Sequence, residues 1–100
     1  MYYRFEWDED KDILNQMKHG VSFEMAKEVF FDLMRYDIYD WEHSLFEERW
    51  NAVGLCNYDV LSVIYTMRKG IIRIISARKA SKKEEEEYFY GYGTDNMYWR

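Results

Sequence analysis

The spacing of apolar positions changes twice along the chain. From Asp8 to Phe30 they recur at helical intervals, from residue 35 to 77 they come in short β-branched runs, and after Ala80 a helical pattern returns. Asp8 is placed as an N-cap, with Glu9 and Asp10 in a first turn where the helix dipole favours anions. Ile13, Leu14 and Met17 form a narrow apolar stripe on that helix, which ends with Lys18 and His19 before a left-handed terminator at Gly20. Ser22 caps a second helix with Phe23, Ala26, Val29 and Phe30 on one face. Residues 2–5 form a short aromatic strand, and further strands are expected over 35–39, 49–55, 60–67 and 71–77. Ser81 and Glu84 have the spacing of a capping box that opens a last helix to about Tyr90.

This pattern predicts an α+β fold, a mostly antiparallel sheet with two N-terminal helices and one C-terminal helix. Residues 1–90 make one domain, and 91–100 (GYGTDNMYWR), which has no periodicity, reads as a loose aromatic tail. The strongest hairpin signal lies around Lys69-Gly70. With a two-residue turn there, Leu61, Val63, Tyr65 and Met67 share a core face with Ile72, Ile74 and Ser76. Arg68 and Arg73 then lie close together on the outer face, while the direction of Arg78 is left open.

Charge sharpens the picture at this hairpin. The chain has a formal net charge of -5, and residues 1–48 hold thirteen Asp and Glu. Between Asp59 and Glu84, however, there is no acidic residue, while Arg68, Lys69, Arg73, Arg78, Lys79, Lys82 and Lys83 accumulate. Such a segment carries a local positive field that attracts an anion against the net charge, and nucleic acid is the first candidate. A solvated sheet face is the plain alternative, and an acidic surface on another protein is a further partner of the same sign. No apolar run reaches the roughly 18 residues of a membrane helix, and the first ten residues lack a signal peptide's apolar stretch. Cys56 is the sole cysteine and fits a small apolar strand position. A cytoplasmic protein without membrane contact is the simplest reading.

FEWDEDK at residues 5–11, KHGVSFEMAKEVF at 18–30 and HSLFEERW at 43–50 occur in that order. Gly54, YTMR at 65–68, RIISARKA at 73–80, Glu84 and Tyr88 follow. Together, over about residues 4–88, they resemble the BrnT-type toxins of bacterial type II toxin–antitoxin pairs. The resemblance implies a RelE-like ribonuclease fold with helices packed on one side of the sheet. It also implies neutralisation by a ribbon-helix-helix antitoxin, with DNA met only indirectly, through that antitoxin. This chain departs from the family in its last helix, where Glu85, Glu86 and Glu87 stand in place of a basic surface.

Metal-independent RNA cleavage needs a base for the 2′-hydroxyl, cations for the phosphate and an acid for the leaving oxygen. No cofactor is required, since the nucleophile belongs to the substrate. Arg68 and Arg78 match family motif positions, and a guanidinium holds phosphate oxygens bidentately. His19 is the candidate acid or base, with Lys18, Arg73, Lys79 and Lys82 as RNA contacts. Helix-end stabilisation accounts equally well for Lys18 and His19. Glu48 and Arg49 are a candidate orienting pair, and His43 reads as an exposed loop histidine, with a second titrating group as the alternative. Tyr88 can act as a phenolic acid or pack the last helix; Tyr98 and Trp99 can stack on bases. His19, His43 and Cys56 show no metal-ligand spacing. The alternative to an endoribonuclease is a weakly active or inactive binding module of the same fold, working as antitoxin-bound co-repressor or protein adaptor.

Overall fold

The computed structural model describes residues 2–91. Of the tail expected over 91–100, only Gly91 is described, and Tyr98 and Trp99 lie outside the described residues. The elements are β1 (Phe5–Glu6), α1 (Glu9–His19), α2 (Phe23–Ala26), a 3-10 helix (Lys27–Phe31), β2 (Tyr36–Tyr39), β3 (Trp50–Cys56), β4 (Asp59–Arg68), β5 (Ile71–Lys79) and α3 (Lys82–Tyr90). The five strands form one sheet in the order β1-β5-β4-β3-β2, antiparallel except for the β1–β5 pairing. This is the expected α+β class. No helix among the described residues is long and apolar enough to cross a membrane.

The caps behave as their residue types dictate. The Asp8 carboxylate accepts from the Lys11 amide, the Ser22 hydroxyl from the Met25 amide, and Gly20 closes α1 at φ 71°. Ser81 and Glu84 form the reciprocal capping box at the start of α3. Phe23, Ala26, Val29 and Phe30 are buried against Ala52, Val63, Ile74 and Ala77. Each of the larger side chains contributes about 1.5–3 kcal/mol by leaving water. The second helix tightens to 3-10 geometry from Lys27, which keeps the same face inward. Cys56 is buried in the same cluster, and burial raises its thiol pKa.

The α1 stripe is a correction. Ile13, Leu14 and Met17 face solvent, and the residue that docks the helix is the buried Asn15. Its amide nitrogen donates to the Val21 and Ala77 carbonyls, both at 2.8 Å, and its oxygen accepts from the Ala77 amide at 3.2 Å. β1 pairs with β5 only at Ile72 and Arg73, so the edge of β5 beyond it has backbone groups to satisfy. Asn15 serves as its strand partner at Ala77.

The hairpin register is the second correction. Lys69 and Gly70 form the two-residue turn, with φ 52° and 80°, as a primed turn requires. Pairing runs Arg68 to Ile71 through Tyr65 to Ile74, but Ile64 then meets Ser76, leaving Ile75 as the extra residue of a bulge. Ala77, not Ser76, therefore reaches the core opposite Val63, and Arg78 falls opposite Ser62.

The third correction concerns the helices. A Cβ at Gly54 would meet Val29 in the 3-10 helix, so that segment lies on the Gly54 face of β3. α3 is anchored instead to Asn51 and Ser62, on the opposite face. The helices thus do not all pack on one side; α3 crosses the far side of the sheet, and the Tyr88 hydroxyl ties it to Asp32.

Candidate functional site

Two adjoining clefts open on the α3 side of the sheet. The first, of about 440 Å³, takes in Asp40, His43, Arg49, Asn51, Ile64 and Arg78 among its lining residues. The second, of about 420 Å³, is lined by His43, Leu45, Phe46, Glu47, Arg49 and Arg68. His43 and Arg49 belong to both.

The segment between β2 and β3 places these residues. Its ends are tied by the Asp40 amide donating to the Arg49 carbonyl at 2.9 Å. Ser44 cross-links the loop, its hydroxyl donating to the Asp40 carbonyl and accepting from the Arg49 amide. The Asp40 carboxylate accepts from the His43 amide at 3.3 Å and meets the His43 Nδ1 at 3.0 and 3.2 Å. An aspartate three residues before a loop histidine makes a turn of this kind, so the dyad is local chemistry imposed on an exposed ring.

The cations of the site are committed unequally. Arg78 grips Glu84 with both terminal guanidinium nitrogens, at 2.8 and 3.2 Å. Glu84 also accepts from the Ser81 amide, Ser62 and Asn51. Burial raises the pKa of this carboxyl, but the Arg78 hydrogen bond and charge and the Ser81 and Asn51 donors outweigh it, bringing it down to about 2. Arg68 holds Glu47 at 3.1 Å, and this hydrogen bond, with the charges of Arg68 and Arg49, keeps Glu47 below its ordinary value. Arg49 reaches the same Glu47 only at 3.6 Å, and its Nε is buried with no hydrogen-bond partner among the described residues.

The sequence candidates therefore separate. Arg68, Arg78 and Arg49 come together around the clefts, whereas His19, Lys18, Arg73, Lys79 and Lys82 line neither. Lys18, His19, Lys79 and Lys82 are exposed. Arg73 is paired with Glu6 across the β1–β5 contact at 3.3 Å. The expected Glu48–Arg49 pair is replaced by Glu47–Arg49, while the Glu48 carbonyl accepts from Thr66. Tyr88 is unsuited to giving up a proton near neutrality, because burial and the Asp32 carboxylate push its pKa up to about 12. Asp40, Glu47, Asn51 and Ser62 were not among the sequence candidates. Only Asp40 had a local signal, its spacing from His43.

Glu84 gives the acid stability a definite sign. Its folded-state pKa of about 2 lies below the ordinary 4.5, so its contribution is present above about pH 4.5 and is lost as pH falls towards 2. Glu84→Gln should lower stability at pH 7 by about 1–2 kcal/mol, after allowance for solvent screening. It should also flatten the loss between pH 4.5 and 2. Urea unfolding at pH 7 and pH 3 measures both, and an unchanged acid limb in the variant would remove Glu84 as its source.

No curated relative matches the chain. The family model for the ribonuclease toxin BrnT of type II toxin–antitoxin systems matches residues 7–84, which include both helix caps of the N-terminal half, every cleft residue and the Arg78–Glu84 pair. By that match over most of its length, the chain belongs to the BrnT family of ribonuclease toxins.

Proposed function

We propose that this protein is a metal-independent endoribonuclease of RelE-like fold, whose two adjoining clefts hold the RNA strand on either side of the scissile phosphate. The observation that carries this reading is the convergence of Arg49, Arg68 and Arg78 around His43 on one face of an otherwise acidic chain. The substrate's own 2′-hydroxyl attacks the adjacent phosphorus, and guanidinium groups take the charge that builds on the phosphoryl oxygens. Phosphates compete with Glu47 for Arg68 and with Glu84 for Arg78. His19, Lys18, Arg73, Lys79 and Lys82 are left as outlying contacts for a longer strand. The family brings an antitoxin partner. A ribbon-helix-helix protein that covers the cleft face would both block RNA and contact DNA on the toxin's behalf.

One observation favours the rival binding module: Arg68, Arg73 and Arg78 each already have a carboxylate partner. The two readings separate on single-stranded RNA incubated with the purified protein in excess EDTA. Cleavage to cyclic-phosphate ends, reduced in folded Arg68→Ala and Arg78→Ala variants, is the expected result. A folded wild-type protein that cuts no RNA at any salt concentration would leave the binding module.

A further inference from the structure

We propose that His43, oriented by Asp40, is the catalytic base that accepts the 2′-hydroxyl proton; this rests on the ribonuclease reading above. A carboxylate only accepts hydrogen bonds, so the Nδ1 atom that meets Asp40 at 3.0 Å must carry a proton. In the neutral ring the lone pair is then on Nε2, the atom left to act as a base. His43 is also the only histidine that lines the clefts, and it sits in both.

The charged groups facing it are compatible with this role. Asp40 from its own loop fixes the ring, Arg49 from just before β3 and Arg78 from β5 share the first cleft, and Glu47 and Arg68 share the second. A phosphate drawn to Arg49 would bring its neighbouring 2′-hydroxyl to the imidazole. The step balances without a co-reactant. Nε2 takes the 2′-hydroxyl proton as the 2′-oxygen–phosphorus bond forms and the phosphorus–5′-oxygen bond breaks. The departing 5′-oxygen takes a proton from solvent, and the imidazolium later returns one. The products are a 2′,3′-cyclic phosphate and a 5′-hydroxyl end. Asp40 is a positioning residue, acting through the ring alone.

The test is the rate of RNA cleavage in EDTA from pH 5 to 9 for wild type, His43→Ala, His43→Gln and His19→Ala, each checked for folding by circular dichroism. Both His43 variants should lose about 10²-fold or more, the contribution typical of a positioned base. Their residual rates should lack the wild-type acid limb, and added imidazole should restore part of the activity of His43→Ala. A folded His43→Ala that cleaves within about threefold of wild type would overturn the assignment while leaving the ribonuclease intact. So would a loss that is equal at every pH and insensitive to imidazole, since that marks a structural role. Loss confined to His19→Ala would move the proton transfer to α1. An inactive folded wild type would overturn the ribonuclease reading and this assignment with it.

Discussion

Asn15→Leu should destabilise the protein by about 3–5 kcal/mol, although it places an apolar residue at a buried position. The substitution leaves three backbone groups without their partner: the Val21 carbonyl, the Ala77 carbonyl and the Ala77 amide. Each buried polar group left unpaired costs about 1–3 kcal/mol, and the gain from burying leucine offsets only part of the sum. A native stability of about 5–15 kcal/mol makes this a large fraction. At about 4–8 °C per kcal/mol for a domain of this size, the melting temperature should fall by more than about 12 °C. Asn15→Asp is the informative companion, because it keeps the acceptor for the Ala77 amide but turns a carboxylate towards two carbonyls. It should be destabilised too. A leucine variant that melts within about 4 °C of wild type would show that α1 is held by something other than this peg.

The same residue explains why part of the fold was hidden in the sequence. Periodicity weights Ile13, Leu14 and Met17, and a stripe of that kind ordinarily faces the core. Here β1 is two residues long and stops short along β5, so the unmet need at that edge is hydrogen bonding, and Asn15 meets it. The elements whose signals are local were legible: the caps at Asp8, Ser22 and Ser81, the Gly20 terminator and the Lys69-Gly70 turn. The bulge at Ile75 was not, because it depends on how Ile64 and Ser76 settle across the hairpin. Without it, Ser76 stays inward and Arg78 does not meet Ser62 and Glu84.

The cation run is contiguous in sequence, but its three arginines are met by Glu6, Glu47 and Glu84, which flank the run on both sides. A local count of like charges says nothing about what distant segments bring back. Of the candidate site residues, Arg68 and Arg78 line the clefts, while Lys18 and His19 do not. His43 is the exposed loop residue its sequence context suggests, and what the sequence hid is its fixing by Asp40 and the Ser44 cross-link.

Arg49→Ala should reduce the rate of RNA cleavage by about 10²-fold to 10³-fold, the loss typical of removing one charge-stabilising donor. The argument is one of availability. A guanidinium has five N–H donors, and in Arg78 two nitrogens are spent on Glu84. Arg68 is held to Glu47 at 3.1 Å with half its side chain in solvent, at 52% exposure. Arg49 has only a 3.6 Å approach to that same carboxylate, yet it lines both clefts. It is the cation that gains most from a phosphate and gives up least to reach one. For the same reason its removal should change stability by less than about 1 kcal/mol, as for a weak half-exposed pair, and Glu47 keeps Arg68. The loss should fall on kcat more than KM, because the charge it meets develops as the phosphorus is attacked. Arg49→Lys should lie between wild type and alanine, since it keeps the charge but not the planar fork. Arg68→Ala should cost less than Arg49→Ala in the same assay. If Arg49→Ala retained wild-type kcat while Arg68→Ala lost it, the phosphate would belong in the outer part of the second cleft, and the carboxylate pairing of Arg68 would have to open during each turnover.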